Sequence, residues 1–307
     1  MSLLDSWTQG QHTADRVTHP TYRKGSGPGI VLIHELPGMT ADVIRYAESL
    51  VDAGYTVVMP HLFGNVPASM SSIVTALPKV CVNKEFNKLA LGVTSPIATW
   101  LRSLARDLHG ELGGPGVGAL GMCFTGGFAL AMMVDESVVA PVVAQPSLPF
   151  AIGRDRGADL GLSPADLDAV KHRATAGCDV LGLRYRNDPA TGTRFDTLTS
   201  QIGDRFIRVE LEGKGHSTLT AHRQQQAVDA VLAFFTERLP QSCAPGSRAG
   251  RSVGRTSMSS CDGPRSSSTS AGTCCVSDGR SASSVTTPAR PPYATRARSR
   301  TTGADRG

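Results

Sequence analysis

Residues 116–135 read GVGALGMCFTGGFALAMMVD, which is an apolar strand, a glycine-flanked turn and an apolar helix in direct succession. Cys123 stands at the centre of the turn 121–127. A strand-to-helix turn of this kind holds its central side chain in a strained backbone conformation and needs small residues around it. The amino terminus of the following helix favours negative charge on a thiolate. The stretch therefore predicts a nucleophile elbow with Cys123 as the nucleophile.

Short apolar runs alternate with helical patterns on both sides of this stretch. This alternation is typical of a mostly parallel, twisted sheet with helices on both faces. Predicted strands cover residues 29–34, 56–60, 116–121, 138–144, 180–185 and 206–211, and predicted helices cover 41–53, 85–108, 126–135 and 218–237. Residues 147–177 form an insertion on the carboxyl side of the strands, where lids often lie, and Ser163-Pro164 marks a helix start within it.

Composition divides the chain after residue 240. Residues 241–307 contain no Leu, Ile, Phe, Trp, Lys, Glu or His, so they cannot bury enough apolar surface to offset the entropy of ordering. We expect one domain at 1–240 and a disordered Ser/Arg/Gly-rich tail at 241–307. The tail is interpreted as a basic arm for acidic surfaces, an inert extension or the product of an altered reading frame, and the last two are favoured.

Charge and cysteine usage exclude several classes of protein. The tail carries ten Arg against three Asp, a net charge of +7, which leaves −2 of the chain's +5 for residues 1–240. A basic surface for nucleic acid is therefore not expected on the folded part. No cysteine pair there has zinc-type spacing, no signal peptide is apparent and no apolar run is long enough to cross a bilayer. We expect a cytoplasmic protein with reduced thiols.

A nucleophilic thiol needs a base, and a catalytic histidine needs an acid that fixes its tautomer. Among eight histidines, only His216 lies in a glycine-flanked loop between the last predicted strand and the last predicted helix. The acid is expected after strand 180–185, where Asp188 precedes Pro189; Asp196 is the second candidate, and the alternative for Asp188 is a turn-forming residue. The order Cys123, Asp188, His216 is the nucleophile–acid–histidine order of the α/β-hydrolase fold.

The alternative for Cys123 is a buried structural thiol beside a glycine-rich turn. The motif G-x-S-x-G occurs nowhere in residues 1–240; its occurrence at 250–254 (GRSVG) lies in the predicted disordered tail, so no serine of the expected domain competes as nucleophile. His34, at a strand end beside Glu35, is expected to support its turn from within the core.

Four segments together resemble the dienelactone hydrolase family: HELPG at 34–38, PHLFG at 60–64, GMCFTGG at 121–127 and GKGHST at 213–218. The resemblance covers roughly residues 20–238. It implies an α/β-hydrolase fold, a small-molecule ester or lactone substrate, and neither a metal nor an organic cofactor. It also implies that Glu35 takes the thiol proton once substrate binds; the alternative is a carboxylate that caps the turn or pairs with an Arg. The backbone N–H groups of Leu36 and Phe124 are the expected oxyanion donors.

Two positions depart from the family pattern. The family has Gly two residues after the nucleophile, where this chain has Thr125, and a β-branched residue there requires the turn to open slightly. Members that cleave dienelactone have an Arg four residues after the histidine, where this chain has Thr220. Arg184, Arg186 and Arg223 are near in sequence but not in register. Binding of an anionic lactone is therefore not expected on the family model.

We expect acyl transfer in two steps. Cys123 attacks a carbonyl while its proton passes to Glu35 or His216, and His216, oriented by Asp188, then activates water against the thioester. Two alternatives stay open: a general carboxylesterase or thioesterase of the same fold, and a non-enzymatic binding protein with a degenerate hydrolase pocket.

Overall fold

The computed structural model describes residues 3–66, 68, 69, 86, 91–151 and 153–240. The tail predicted at 241–307 lies outside the described residues, as does most of the segment between 67 and 90.

One sheet organises the part of the chain that the structure describes. Its strands are β1 (Thr8–Ala14), β2 (Val17–Lys24), β3 (Gly29–Ile33), β4 (Thr56–Pro60), β5 (Val117–Met122), β6 (Val138–Ala144), β7 (Val180–Tyr185) and β8 (Phe206–Leu211). They lie in the order β1-β2-β4-β3-β5-β6-β7-β8. The β1–β2 and β2–β4 pairs are antiparallel, and all later pairs are parallel. Because parallel strands end at one edge, the loops after β3, β5, β6, β7 and β8 meet there.

Helices cover both faces of the sheet, as predicted. They are α1 (Ala41–Asp52), α2 (Ile97–Leu112), α3 (Gly126–Met132), α4 (Arg154–Ala158), α5 (Pro164–Thr175), α6 (Arg194–Ile202) and α7 (Gln225–Arg238). Helices α1 and α7 share one buried apolar cluster, and α2, α3, α5 and α6 share the other. The architecture is that of an α/β-hydrolase, in which both faces of a mostly parallel sheet are buried.

The N-terminal hairpin was not predicted. Strands β1 and β2 pair over their whole length around Asp15 and Arg16, whose φ angles are 49° and 65°. Two consecutive positive φ values define a type I′ turn, which normally uses Asn or Gly. Most of β1 is exposed, so its sequence TQGQHTA carries little apolar alternation.

Two predicted helices begin later than expected. The helix expected over 85–108 begins at Ile97, and residues 91–96 are not helical. The helix expected from residue 218 begins at Gln225, because Thr218 and Thr220 turn towards the strand ends and bond to side chains there. Helix α6 was not predicted at all.

Arg194, the first residue of α6, fastens the insertion to the loop after β7. Its side chain is 1% exposed, and burial lowers its pKa to about 10. Its five N–H groups all donate to backbone carbonyls, those of Pro149, Arg156, Asp159, Ala190 and Thr191. Helix α5 begins as predicted, with the Ser163 hydroxyl accepting from the Asp166 amide at 3.2 Å.

Candidate active site

Cys123 occupies a strained turn between β5 and α3. Its φ is 53°, in the left-handed region that a non-glycine residue enters only when its surroundings hold it there. A Cβ on Gly121 would lie 2.3 Å from the Thr125 carbonyl oxygen, and one on Gly126 would lie 2.8 Å from the Pro146 Cα. Both glycines are therefore required by close backbone approach, and the partly exposed thiol stands at the edge where the parallel strands end.

Thr125 takes the family glycine position without a clash. It is fully buried, and its hydroxyl accepts from the Met122 amide at 3.1 Å. The same hydroxyl lies 3.1 Å from the Ile33 carbonyl and 3.2 Å from the His34 carbonyl, so it ties the elbow to the end of β3. The buried Thr125 hydroxyl is accommodated because each backbone group that it meets is a hydrogen-bond partner.

The side chains of His216 and Asp188 lie next to each other in the structure. The His216 Nδ1 lies 2.7 Å from the Asp188 Oδ2, across the ends of β7 and β8. Asp188 also accepts from the Thr191 hydroxyl at 2.9 Å and from the Ala190 amide at 3.0 Å. Burial raises the pKa of Asp188, but the hydrogen bond and charge of His216, together with the Thr191 and Ala190 donors, outweigh it and hold the pKa below its usual value. The carboxylate is thus ionised and fixed.

His216 also contacts the side chain of Cys123. Burial lowers its pKa, but hydrogen bonds to Asp188 and Cys123 and the charges of both raise it to about 10. Protonated His216 is therefore stabilised by its contacts with Asp188 and Cys123. Its loop is held from behind, since the His222 Nδ1 lies 3.4 Å from the His216 amide and the Tyr185 hydroxyl donates to the His222 carbonyl at 2.5 Å.

Glu35 is buried among neutral donors. Its carboxylate accepts from the hydroxyls of Ser217, at 2.8 Å, and Thr220, and from the Gln145 amide at 3.5 Å. Burial raises the pKa of Glu35, and these hydrogen bonds offset only part of that rise. Two of the donors belong to the His216 loop, so Glu35 anchors the segment that carries the histidine.

The nearby arginines lie elsewhere in the described structure. Arg184 Nε bonds Glu210 at 2.8 Å, Arg186 pairs with Glu212 at 2.8 Å, and Arg223 contacts Gln225 at 3.4 Å.

The second candidate acid, Asp196, lies on α6. Its side chain is 64% exposed and pairs with Arg208 at 2.9 Å, whereas the side chain of Asp188 is 3% exposed. The geometry favours Asp188 as the partner of His216.

His34 supports its turn from the core. It is fully buried, its Nε2 accepts from the Leu62 amide at 3.1 Å, and burial lowers its pKa to about 3. The imidazole is therefore neutral at ordinary pH.

The two expected oxyanion donors flank the same edge. Phe124 follows Cys123 and is fully buried, and Leu36 lies in the turn after β3, partly buried against the same apolar cluster.

Three polar residues at this edge were not identified from the sequence: Gln145, Ser147 and Thr191. Ser147 lies 3.4 Å from the Cys123 sulfur, measured from its hydroxyl oxygen. The Gln145 side-chain oxygen accepts from the Thr218 hydroxyl at 2.7 Å. Thr191 bonds Asp188 as described above. Gln145 and Ser147 directly follow β6, so the rule that selects polar residues after parallel strands also points to them.

Comparison with known proteins gives a match to one family model over part of the chain and likenesses to solved structures. The model of the dienelactone hydrolase family matches residues 16–152, a range that includes Glu35 and Cys123 and ends before Asp188 and His216. No curated protein matches the chain. None of the described helices is both long and apolar enough to cross a membrane.

Solved structures share the architecture at low sequence identity. A dienelactone hydrolase from Anabaena variabilis is 16% identical with a TM-score of 0.54, covering 76% of this chain and 99% of that chain. A dienelactone hydrolase-like promiscuous phosphotriesterase from metagenomic libraries is 15% identical with a TM-score of 0.53, covering 76% and 98%. These likenesses establish the α/β-hydrolase fold, and the family match supports a hydrolase that acts on ester or lactone bonds.

Proposed function

We propose that this chain, matched by the dienelactone hydrolase family over residues 16–152, hydrolyses ester or lactone bonds with Cys123 as nucleophile and Asp188 and His216 as its partners. One observation carries the proposal: a cysteine held at a φ of 53° contacts a histidine whose other nitrogen lies 2.7 Å from a buried carboxylate. The proposed setting is the cytoplasm, where thiols stay reduced.

The first step is attack by a thiolate. Because hydrogen bonds to Asp188 and Cys123 raise the pKa of His216 to about 10, the imidazole is basic enough to take the proton of the Cys123 thiol. Attack forms the Sγ–C bond of a tetrahedral intermediate, and the imidazolium then gives its proton to the leaving alkoxide as the C–O bond breaks. The products of this step are a thioester on Cys123 and an alcohol.

The second step uses the same imidazole as a base. Once the sulfur is acylated it carries no charge, so one of the groups that raised the pKa of His216 is lost. The pKa falls, and His216, still oriented by Asp188, takes a proton from water. Addition of hydroxide to the thioester releases the carboxylic acid and restores the thiol.

Glu35 has two parts in this scheme. The raised pKa of its buried carboxyl suits it to accept a proton, as the family resemblance implies. Its bonds to Ser217 and Thr220 also hold the His216 loop. Because His216 contacts the thiol directly, we assign the proton transfer from Cys123 to His216 and the anchoring of the loop to Glu35.

The backbone N–H groups of Leu36 and Phe124 are the proposed oxyanion donors. They come from the turns after β3 and β5, which adjoin in the sheet. Loss of such a donor typically costs about 10²–10³ in rate.

The substrate class is proposed from the surroundings of Glu35. Its partners are hydroxyl and amide groups, and Thr220 stands where an anion-binding arginine would be needed. The charge of His216 acts on Glu35, but no arginine bonds Glu35 within the described residues, so a substrate carboxylate placed beside Glu35 would lose its water without gaining a bidentate partner. This favours uncharged esters, thioesters and lactones and supports the general carboxylesterase or thioesterase interpretation over cleavage of anionic lactones.

Turnover of a panel of neutral aryl esters, thioesters and lactones by the full chain tests the proposal. Cys123→Ala is expected to lose about 10³-fold or more in kcat/KM, because the attacking atom is gone. Cys178→Ala is the matched control, since this free thiol lies just before β7 and contacts Arg173 and the carbonyls of Val138 and Val139, not the residues around Cys123. Equal turnover by Cys123→Ala and the parent would refute thiol catalysis and leave a binding role.

A further inference from the structure

A serine hydroxyl that the sequence did not single out contacts the sulfur of Cys123. The Ser147 Oγ lies 3.4 Å from the Cys123 Sγ, and Ser147 is 6% exposed. At this distance a hydroxyl is within hydrogen-bond range of sulfur, and a nearly buried hydroxyl keeps its geometry because water does not compete with it.

The backbone holds Ser147 against the elbow. The Ser147 amide donates to the Cys123 carbonyl at 3.0 Å, so the two residues are joined by the main chain as well as by their side chains. The preceding residues pack on the start of α3, where a Cβ on Gly126 would lie 2.8 Å from the Pro146 Cα and 2.9 Å from the Ala144 carbonyl oxygen. The position of the hydroxyl is thus fixed by close-packed backbone on both sides.

Gln145 fixes the same segment at its other end. Its φ is 34°, a conformation that a non-glycine residue keeps only under constraint, and it is fully buried. Its amide donates to the Leu183 carbonyl at 2.6 Å, and its side chain bonds Thr218 and Glu35. Residues 145–147 are therefore held by hydrogen bonds to Cys123, to Leu183 of β7 and to Thr218 in the loop that carries His216.

We propose that Ser147 is a further catalytic residue, whose hydroxyl donates a hydrogen bond to the Cys123 thiolate and stabilises it for attack. The inference rests on the proposed role of Cys123 as nucleophile. A hydroxyl has one hydrogen to donate, and a thiolate accepts where a thiol accepts only weakly. The hydrogen bond from Ser147 therefore favours the ionised form of the Cys123 sulfur. It adds to the stabilisation that protonated His216 gives to the same thiolate.

The pH dependence of Cys123 alkylation tests this without any substrate. The full-length parent and Ser147→Ala are treated with iodoacetamide across pH 4–10, and the rate is followed for the Cys123 peptide by mass spectrometry. We expect the apparent midpoint of reactivity to rise by about 1 pH unit in Ser147→Ala, a tenfold smaller thiolate-to-thiol ratio at a given pH. A hydroxyl with a merely structural role would leave that midpoint unchanged.

An isosteric pair keeps the test valid if the alanine variant does not fold. Ser147→Thr keeps the hydroxyl and Ser147→Val removes it at the same shape, so the midpoint should rise in the Val variant relative to the Thr variant. Cys178, whose contacts lie elsewhere, should alkylate with an unchanged midpoint in every variant.

The outcomes separate the two proposals. A midpoint for Cys123 that is equal in Ser147→Ala and the parent, or equal in the Val and Thr variants, overturns the role of Ser147. An equal shift of the alkylation midpoint of Cys178 also overturns the role of Ser147, because the substitution then affects thiols throughout the protein and not Cys123 in particular. Undiminished turnover by Cys123→Ala would instead refute the nucleophile itself, whatever the alkylation midpoints are.

Discussion

Replacement of Thr125 by Val removes one buried hydroxyl and keeps the shape of the side chain. The Thr125 hydroxyl accepts from the Met122 amide at 3.1 Å and faces the Ile33 carbonyl at 3.1 Å, at a fully buried position. The valine variant leaves the Met122 N–H and the Ile33 carbonyl without this partner between β3 and β5. Thr and Val are therefore not equivalent here, in spite of their equal size.

The magnitude follows from the groups left unpaired. A buried donor or acceptor that loses its partner costs about 1–3 kcal/mol, and the added methyl group returns less than about 1 kcal/mol. We expect the free energy of unfolding to fall by about 2 kcal/mol. Thr125→Ser is the control, because it keeps the hydroxyl and loses only a methyl group, for about 1 kcal/mol.

Urea denaturation of the full chain measures both changes. With a slope of about 2–3 kcal/mol per molar urea, a loss of about 2 kcal/mol lowers the midpoint by roughly 0.7–1 M at unchanged slope. A Thr125→Val midpoint within about 0.2 M of the parent would refute the reasoning. So would a Thr125→Ser variant less stable than Thr125→Val, since the hydroxyl would then contribute nothing.

Two further changes test the electrostatics of the site. Asp188→Asn removes a charge that helps to raise the pKa of His216 to about 10, so we expect that pKa to fall and kcat/KM to drop by about 10³–10⁴. An NMR titration of His216 measures the pKa, and a pH–rate profile measures the activity. A pH–rate profile equal to that of the parent would contradict this expectation. His34 has a folded pKa of about 3 against about 6.5 unfolded, so the unfolded chain binds its proton first and stability is lost as pH falls below 6.5. By pH 4.5 the free energy of unfolding should fall by about 3 kcal/mol, at about 1.4 kcal/mol per pH unit, and the His34→Gln variant should not show this loss. Urea midpoints measured at pH 7 and 4.5 check this. An equal fall of the midpoint in the parent and in His34→Gln would contradict it.

The sequence predicts best the strands of the parallel part of the sheet. Strands β4, β6, β7 and β8 begin and end where expected, and the bounds of β3 and β5 differ from the predicted ones by one residue, because apolar runs bounded by polar or glycine residues mark the strand ends. The exposed strand β1 lacks that pattern and was missed. Helix α6 was missed because its sequence RFDTLTSQI is largely polar and its first residue is buried through carbonyl contacts that only the tertiary structure supplies.

The candidate site was predictable in its order but not in its supporting contacts. Cys123, Asp188 and His216 each follow a strand or a glycine-flanked loop, and the structure brings the last two within 2.7 Å. The partners of Glu35 depend on where Ser217 and Thr220 turn, and no local pattern specifies that turn. The sequence predicted only that Thr125 would open the elbow, whereas its hydroxyl joins the elbow to β3.

The carbonyl contacts of Arg194 bear on how the sequence of this scaffold can change. Every acceptor of its guanidinium is a main-chain oxygen, so the contacts depend on the backbone path at Pro149, Arg156, Asp159, Ala190 and Thr191 and not on the side chains there. Most side-chain substitutions at these five positions would therefore leave all the acceptors in place. A buried cation with only backbone acceptors thus holds two segments together while their side chains are free to vary, so this part of the scaffold tolerates sequence change with little loss of stability.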